Sequence, residues 1–381
     1  MAHLLKSFFC RRGQTWGIEM ANQATATHGV MEGGGSYNLH SAIPAGGAGL
    51  ALPLVEQAAR IIALDSTDQP LVIADYGSSQ GKNSLPPLRA AIRRLRGRVG
   101  PARPIIVVHV DQPANDFNTL FEVLHADPER YALDDPNVFP SAIGRSFYEN
   151  VFPKAHVHLG WSSYAAVWLS RNPARIPGHF VPRFATGTVR EAFERQAAED
   201  WKAFLSLRAV ELKPGGRLVV VLPGMDDEGV SGLEPVFLHA NEALAQLVTE
   251  GAITIDERAS MVVGSYPRRR SELLAPFADN QFRGLTLEHY ELLTLPDAAW
   301  ADYQRDSNNQ ALATRHARFF RSIFSPSLAA AIADERKRNA FPDLLQEKLV
   351  RLSDPPTPFH SFVQTIVLAK QGPAHDSAHN R

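Results

Sequence analysis

The sequence predicts an α/β fold in which a mostly parallel sheet presents its chemistry at the strand ends and a helical cap lies over them. Two segments carry that expectation. LVIADYGSSQGKNS (71–84) reads as an apolar strand, an acid and a glycine-bearing turn, and PIIVVHVDQ (104–112) repeats the theme with a second apolar strand ending in an acid. Apolar runs of this kind, each followed by a helical pattern, are the signature of buried parallel strands. A third observation is the recurrence of such runs at 156–161 and 217–223.

The other elements follow in order. SLPPLRAAIRRLR after the first strand and NDFNTLFEVL after the second have helical periodicity. Asp116, Phe117 and Asn118 are placed to cap and pack the second of these helices. VREAFERQAAEDWKAFLSLRAVEL (189–212) is long and amphipathic and suits a helix across a sheet face. KPGG (213–216) is a tight turn that launches RLVVVLP (217–223). LEHYELLTL (287–295) and SFVQTIVLA (361–369) read as the last two strands. The stretches 231–283 and 297–350 are helix-rich, with PRRRSELLAPF and ATRHARFFRSIF the clearest segments. The expected organisation is an N-terminal arm over 1–30 and a core over 31–230. A cap with one interleaved core strand covers 231–360, and a last strand and tail cover 361–381.

Two adjacent parallel strands, each with a carboxylate at its C-terminal edge, suit a small molecule carrying a ribose and a charged amino acid, since open α/β sheets bind ligands at that edge. Asp111 stands where a carboxylate accepts both ribose hydroxyls, and Asp75 lies near the first turn. Gly77 and Gly81 are spaced G-x-x-x-G, so the dinucleotide fingerprint G-x-G-x-x-G fails. GSSQGKN also falls short of a phosphate loop: it is one intervening residue short, and Asn83 follows Lys82 where Ser or Thr is required. An acid before the turn would repel phosphate. S-adenosylmethionine (SAM) has no phosphate, and its sulfonium and ammonium are cationic, which suits Asp75 and Asp111. The plain alternative is a turn that only joins strand to helix.

Composition excludes several classes. With 39 basic and 40 acidic residues among 381, no polyanion partner such as nucleic acid is implied. The six arginines between Arg89 and Arg103 read as a solvated helix face. A lone cysteine, Cys10, rules out an internal disulfide and fits a reducing cytosol. No apolar stretch reaches the ~20 residues of a membrane span. HVH (156–158) places two imidazoles on one side of a strand, but no third ligand is near in sequence, so no metal is expected. Ser162 and Ser163 lack the G-x-S-x-G elbow of a hydrolase.

Taken together, the motifs resemble those of the SABATH family of carboxyl methyltransferases. ADYGSSQGKNS resembles the family's D-L-G-C-S-S-G-P-N-T, and HVDQPANDFNTLF (109–121) resembles D-L-P-x-N-D-F-N-x-x-F. GRSFYENVFP (144–153) is similar to G-S-F-Y-x-x-L-F-P, WSSYAAVWLSRNP (161–173) to H-S-S-Y-x-x-x-W-L-S-x-x-P, and GGGSYNLHS (33–41) to the early S-Y-x-x-N-S. Five motifs in register from about residue 31 to 225 are specific. The resemblance implies a Rossmann-like SAM-dependent methyltransferase sheet with a helical cap, SAM as cofactor, methyl-ester formation on a free fatty or small aromatic acid, and a homodimer. It also implies a SAM site lined by Ser41, Asp75, Gly77, Asn83, Asp111, Gln112, Ser146, Phe147 and Ser162. Asp111 would hold the ribose, and Ser146 and Phe147 the adenine. The acceptor would meet Tyr37, His40, Tyr164, Val167 and Trp168, with Tyr164 and Trp168 at i and i+4 on one face of a helical turn and the indole N–H on the acceptor carboxylate.

A carboxylic acid is already an anion at neutral pH. The expected catalysis is therefore alignment and exclusion of water, with no general base, nucleophile or metal. One departure stands out. The family's glutamine seven residues after the early tyrosine is replaced by Pro44, which has no side-chain donor; His40 and Trp161 also depart from the pattern. Either another donor takes over, with His40 a candidate, or the substrate is held differently. A second reading is a SAM-binding chain without turnover that serves as a partner subunit.

Overall fold

The computed structural model describes residues 29–353 and 355–372. Cys10, nearly all of the 1–30 arm and the end of the 361–381 tail lie outside the described residues. The strands are Leu71–Tyr76 (β1), Ile105–Asp111 (β2), Val138–Gly144 (β3), Val157–Ser163 (β4), Leu212–Pro223 (β5), Gln281–Phe282 (β6), Leu285–Pro296 (β7) and His360–Lys370 (β8). They form one sheet ordered β3-β2-β1-β4-β5-β8-β7-β6. The first five are parallel, β8 is antiparallel to β5, and β7 is antiparallel to β8. From β1 the chain builds outward to β2 and β3 on one side and to β4 and β5 on the other. The crevice where a small molecule binds such a sheet therefore opens at the C-terminal ends of β1 and β4.

All six residues of β1 are buried because helices cover both faces. Val72, Ala74 and Tyr76 join one core with Trp201 and Phe204 of the long helix Gly187–Glu211. Leu71 and Ile73 join the other core with Leu88 and Ile92 of the helix Leu85–Val99. This is the two-residue alternation of a strand with both faces covered. The cap helices, among them Glu234–Thr249, Asn309–Ala329 and Glu335–Leu352, share the first of these cores, so cap and sheet are continuous through one apolar interior.

Several expectations need correction. A fifth parallel strand, β3, was not predicted: VFPSAIG is half exposed and holds a proline, which an edge strand tolerates because its outer side has no ladder to complete. KPGG does not precede β5 but lies within it. Leu212 pairs with Val157, and pairing resumes at Arg217 with Leu159, leaving the turn as a bulge with Gly215 at φ 77°. β4 runs on to Ser163, which brings both serines into the strand. PRRRSELLAPF holds only a five-residue helix, Arg270–Leu274, and a following short turn.

The six arginines are tied down, not free. Arg89, Arg93, Arg94, Arg96 and Arg103 pair with Glu129, Glu56, Asp135 and Asp65, and Arg98 donates to the carbonyls of Ala59 and Ile62. A buried pair matters more for the site. Arg208 donates to both oxygens of Glu211 at 2.8 and 3.0 Å, and Glu211 also accepts from Tyr76 Oη at 2.8 Å and from the N–H groups of Val151 and Phe152. Arg208 Nη1 donates to the Phe147 carbonyl at 2.8 Å. A buried ion pair is sustained only when its remaining hydrogen-bonding capacity is used. Here the neighbours that use it are β1 and the loop carrying Phe147.

Candidate active site

The turn after β1 is built around its glycines. Gly77 lies at φ 87°, and its N–H and that of Ser78 both donate to the Val110 carbonyl, at 2.7 and 3.2 Å. A Cβ on Gly77 would come within 2.0 Å of Ala165 Cβ. The turn thus passes directly under the loop that follows β4. Ser79 N donates to Asp111 Oδ2 at 2.6 Å and Gln112 N to Oδ1 at 2.8 Å. Loss of solvent pushes the Asp111 carboxyl up to about 6 against those two donors, with the Asp75 carboxylate adding a smaller push.

These residues open onto a cleft of about 1050 Å³, its mouth included. Of the residues predicted for the cofactor, Gly77, Asp111, Gln112 and Phe147 line it; of those predicted for the acceptor, Tyr37, Tyr164, Val167 and Trp168 do. Ser79 Oγ, in the same lining, is buried without a hydrogen-bond partner among the described residues. A carboxylate held by two backbone donors, an unpartnered hydroxyl and a glycine turn with no room for a side chain fit SAM. Asp111 would take its ribose and the Gly77–Ser79 backbone its amino-acid end.

Other predicted residues sit behind the wall. Asp75 projects to the opposite face of β1 from Tyr76, where it meets His109 Nδ1 at 2.8 Å, and His109 Nε2 meets Tyr131 Oη at 2.9 Å. All three are buried. Ser162 Oγ donates to the Tyr76 carbonyl at 2.8 Å, fastening β4 to β1, and the next residue, Ser163, lines the cleft instead. Asn83 Nδ2 donates to Ser41 Oγ at 2.9 Å and stands beside the Tyr37 hydroxyl, so this pair supports a lining residue from behind. Ser146 accepts from Tyr148 N at 3.2 Å and is not among the lining residues. His40 is not among them either. It lies near Arg318, Glu32 and Arg321, and burial, then the Arg318 charge, lowers its pKa. The metal-like HVH resolves into one structural histidine: His158 Nδ1 accepts from Val72 N at 3.0 Å, and burial takes its pKa to about 4, leaving it neutral.

Tyr164 and Trp168 do not lie on a helix. Tyr164 has φ 58° and its N–H donates to the Val221 carbonyl at 2.8 Å; the following residues form a turn, and Trp168 makes a β-bridge with Ser265. The buried Arg268 clamps this turn through the Ala166 carbonyl at 2.8 Å, and Tyr148 Oη donates to the Trp168 carbonyl at 2.7 Å. Both aromatic rings still reach the cleft, by a different backbone route. Tyr164 fits because Gly47 has no side chain: a Cβ there would sit 2.4 Å from the Tyr164 hydroxyl oxygen. Residues without a motif complete the lining: Phe237 and Phe324 from the cap, Arg183 from the short turn Pro182–Phe184, and Ser361 at the start of β8. Their signal is absent from any single segment, since they come together only through the tertiary fold.

Relatives with known names place the chain. The sequence profile of the family described as SAM dependent carboxyl methyltransferase matches residues 23–370. Methyltransferase FUS9 of Gibberella fujikuroi is 30% identical over 258 residues, covering 67% of this chain and 68% of that one. Salicylate carboxymethyltransferase of Clarkia breweri is 31% identical over 264 residues, covering 64% of this chain and 71% of that one. The solved structure of loganic acid methyltransferase with SAH overlays with a TM-score of 0.71 at 23% identity, covering 92% of this chain and 100% of that one, which establishes the shared fold. With its Gly77 turn, its Asp111 carboxylate and a family match over nearly its whole length, this chain belongs to the SAM-dependent carboxyl methyltransferases.

Proposed function

We propose that the acceptor is a free carboxylic acid with an apolar body, held with its carboxylate toward Ser163, Tyr164 and Trp168. The observation that carries this is the lining itself. Ser163 Oγ is buried without a partner among the described residues, and Tyr164 Oη is buried beside Ser361 without a hydrogen bond of good geometry. Beyond them the wall is apolar, with Val167, Leu233, Phe237, Phe319 and Phe324. Burial drives the Tyr164 phenol well above its usual range, so it remains a donor at neutral pH. Pro44 lines the cleft where the resemblance calls for a glutamine, and the Tyr164 hydroxyl is a donor in the same lining.

When bound, SAM supplies a methyl group on a cationic sulfur. The protein's part is to aim a carboxylate oxygen at that methyl and to keep water out, an orientation effect worth about 7–11 kcal/mol in well-aligned systems. Supplying labelled SAM and a panel of free acids to the full chain tests the reading, with a methyl ester identified by mass as the expected product. Tight SAM binding with no ester from any acid would favour the partner-subunit reading.

Among monocarboxylic acids, a medium-chain or long-chain fatty acid is favoured over a benzoate, because with the glutamine absent more of the binding energy comes from apolar contact. Each buried CH₂ contributes about 0.8 kcal/mol, so kcat/KM should climb along the straight-chain monoacids until the pocket is full. A flat profile with salicylate or benzoate preferred would overturn this. Trp168→Phe tests the carboxylate grip. Turnover should fall about tenfold or more, since one hydrogen bond to a charged oxygen is worth about 1.5–3 kcal/mol, while SAM affinity stays constant. Wild-type turnover in a variant that only melts earlier would assign Trp168 to packing.

A further inference from the structure

Arg183 is a cation the reaction above leaves unused. Of the described residues lining the cleft, only Asp111 and Arg183 carry a full charge, and Asp111 belongs to the cofactor side. Arg183 lies in the short turn Pro182–Phe184 and is half-buried, its Nε donating to Glu234 Oε1 at 3.3 Å. Glu234 is itself fixed by Ser231 N at 2.8 Å, Ser231 Oγ at 3.0 Å and Gly232 N at 2.8 Å. That carboxylate therefore steers the guanidinium by one edge, and among the described residues no hydrogen bond occupies Nη1 or Nη2. An arginine presents its donors as a planar fork that matches a carboxylate.

The position of this fork sets what the acceptor carries. Trp168 meets Phe324 at 6.2 Å, Phe324 meets Phe237 at 5.4 Å and Phe237 meets Phe180 at 6.2 Å, ring centre to ring centre. Trp168, Phe324 and Phe237 line the cleft, and Phe237 rests on the buried Phe180, three positions before Arg183. A chain of aromatic contacts thus links the methyl-transfer end to the segment that carries Arg183. An acceptor ending there in a methyl group would strip water from the guanidinium and return nothing. An anion there is repaid, and the adjacent Glu234 charge disfavours a dianion such as a phosphate. We propose that Arg183 forms a second anion subsite and that the preferred acceptor is a dicarboxylic acid. One carboxylate sits at Tyr164 and Trp168 and receives the methyl; the other pairs with Arg183. The new C–O bond forms as the methyl–sulfur bond breaks, the sulfonium becomes a neutral thioether, and no proton moves. The product is a monomethyl ester, which lacks one of the two charges and is a poor second substrate. The inference rests on the carboxyl methylation reading.

The test uses the full chain, labelled SAM and matched straight-chain mono- and dicarboxylic acids of equal carbon number. At the best length, the diacid should exceed its monoacid in kcat/KM by about tenfold or more, and the reaction should stop at the monoester. Arg183→Met should remove that preference by lowering diacid kcat/KM about tenfold or more, with monoacid kcat/KM held or raised because the cost of desolvating the guanidinium is gone, and Arg183→Lys should restore part of it. Monoacid turnover with no diacid preference in the wild-type protein overturns the subsite alone. An equal loss of mono- and diacids in Arg183→Met also overturns it, because the guanidinium would then serve the reacting carboxylate or the fold. Absence of ester from every acid overturns the methylation reading and the subsite with it.

Discussion

Gly77→Ala is expected to abolish measurable SAM binding at concentrations that saturate the wild-type chain. Two costs combine. A side chain at φ 87° occupies the left-handed region, a cost of about 1–2 kcal/mol. The new Cβ would also stand 2.0 Å from Ala165 Cβ, and overpacking of this kind costs about 1–3 kcal/mol even when the neighbours yield. The neighbour that must yield belongs to the turn carrying Val167 and Trp168, so one methyl group disturbs both halves of the cleft. Gly100 provides the control. It has φ 70° and ψ −177°, and nothing lies within 4 Å of the place an added methyl group would take, so Gly100→Ala should lower the melting temperature through backbone strain alone and leave SAM binding intact. Wild-type SAM affinity in Gly77→Ala would show that the turn is not where the cofactor lies.

The second large effect belongs to Asp111. Asp111→Ala removes the carboxylate that Ser79 N and Gln112 N aim into the cleft. Hydrogen bonds to a charged acceptor are worth about 1.5–3 kcal/mol, so SAM affinity should drop by about one to two decades by calorimetry. A pH titration adds an independent check. The carboxyl titrates near 6 because it is desolvated, and only its ionised form accepts both ribose hydroxyls. Affinity should therefore be full above that pH and fall as the pH drops through it. Asp111→Asn should bind weakly and flatten this dependence. A wild-type affinity unchanged between pH 5 and pH 7, about one unit either side of the expected midpoint, would remove Asp111 from the ribose.

What could be read from the sequence was whatever is encoded locally. Runs such as LVIADY and IIVVHVD announce strands because burial on both faces demands unbroken apolar side chains. The Gly77 turn and Asp111 follow directly from those strands. β3 escaped notice because an edge strand faces water and needs neither alternation nor an apolar run. Asp75 shows what a strand end leaves unsaid: the pleat turns it to the face opposite Tyr76, where one carboxylate oxygen meets His109 and the other is buried without a partner among the described residues. Tyr164 and Trp168 have helical spacing, but Tyr164's left-handed backbone and the Ser265 bridge override it. Arg183 has no motif around it, and its place depends on Glu234, 51 positions further along the chain.

The place of β8 has a consequence for how the protein is made. It is the last of the described strands yet lies between β5 and β7, hydrogen-bonded to both, and Ser361 at its start belongs to the cleft. On a translating ribosome, β5 leaves the tunnel well before its partner exists. At about 5–20 residues per second, its free edge waits on the order of ten seconds for residues 360–370. An unpaired strand edge of valines and leucines is a template for association with other chains. The parallel half can assemble during synthesis, but the acceptor pocket closes only when β8 slides into place, a late and long-range step of the slow kind. A nascent chain arrested before residue 360 would therefore protect β1 and β2 from hydrogen exchange while β5 and β7 remained open to a chaperone.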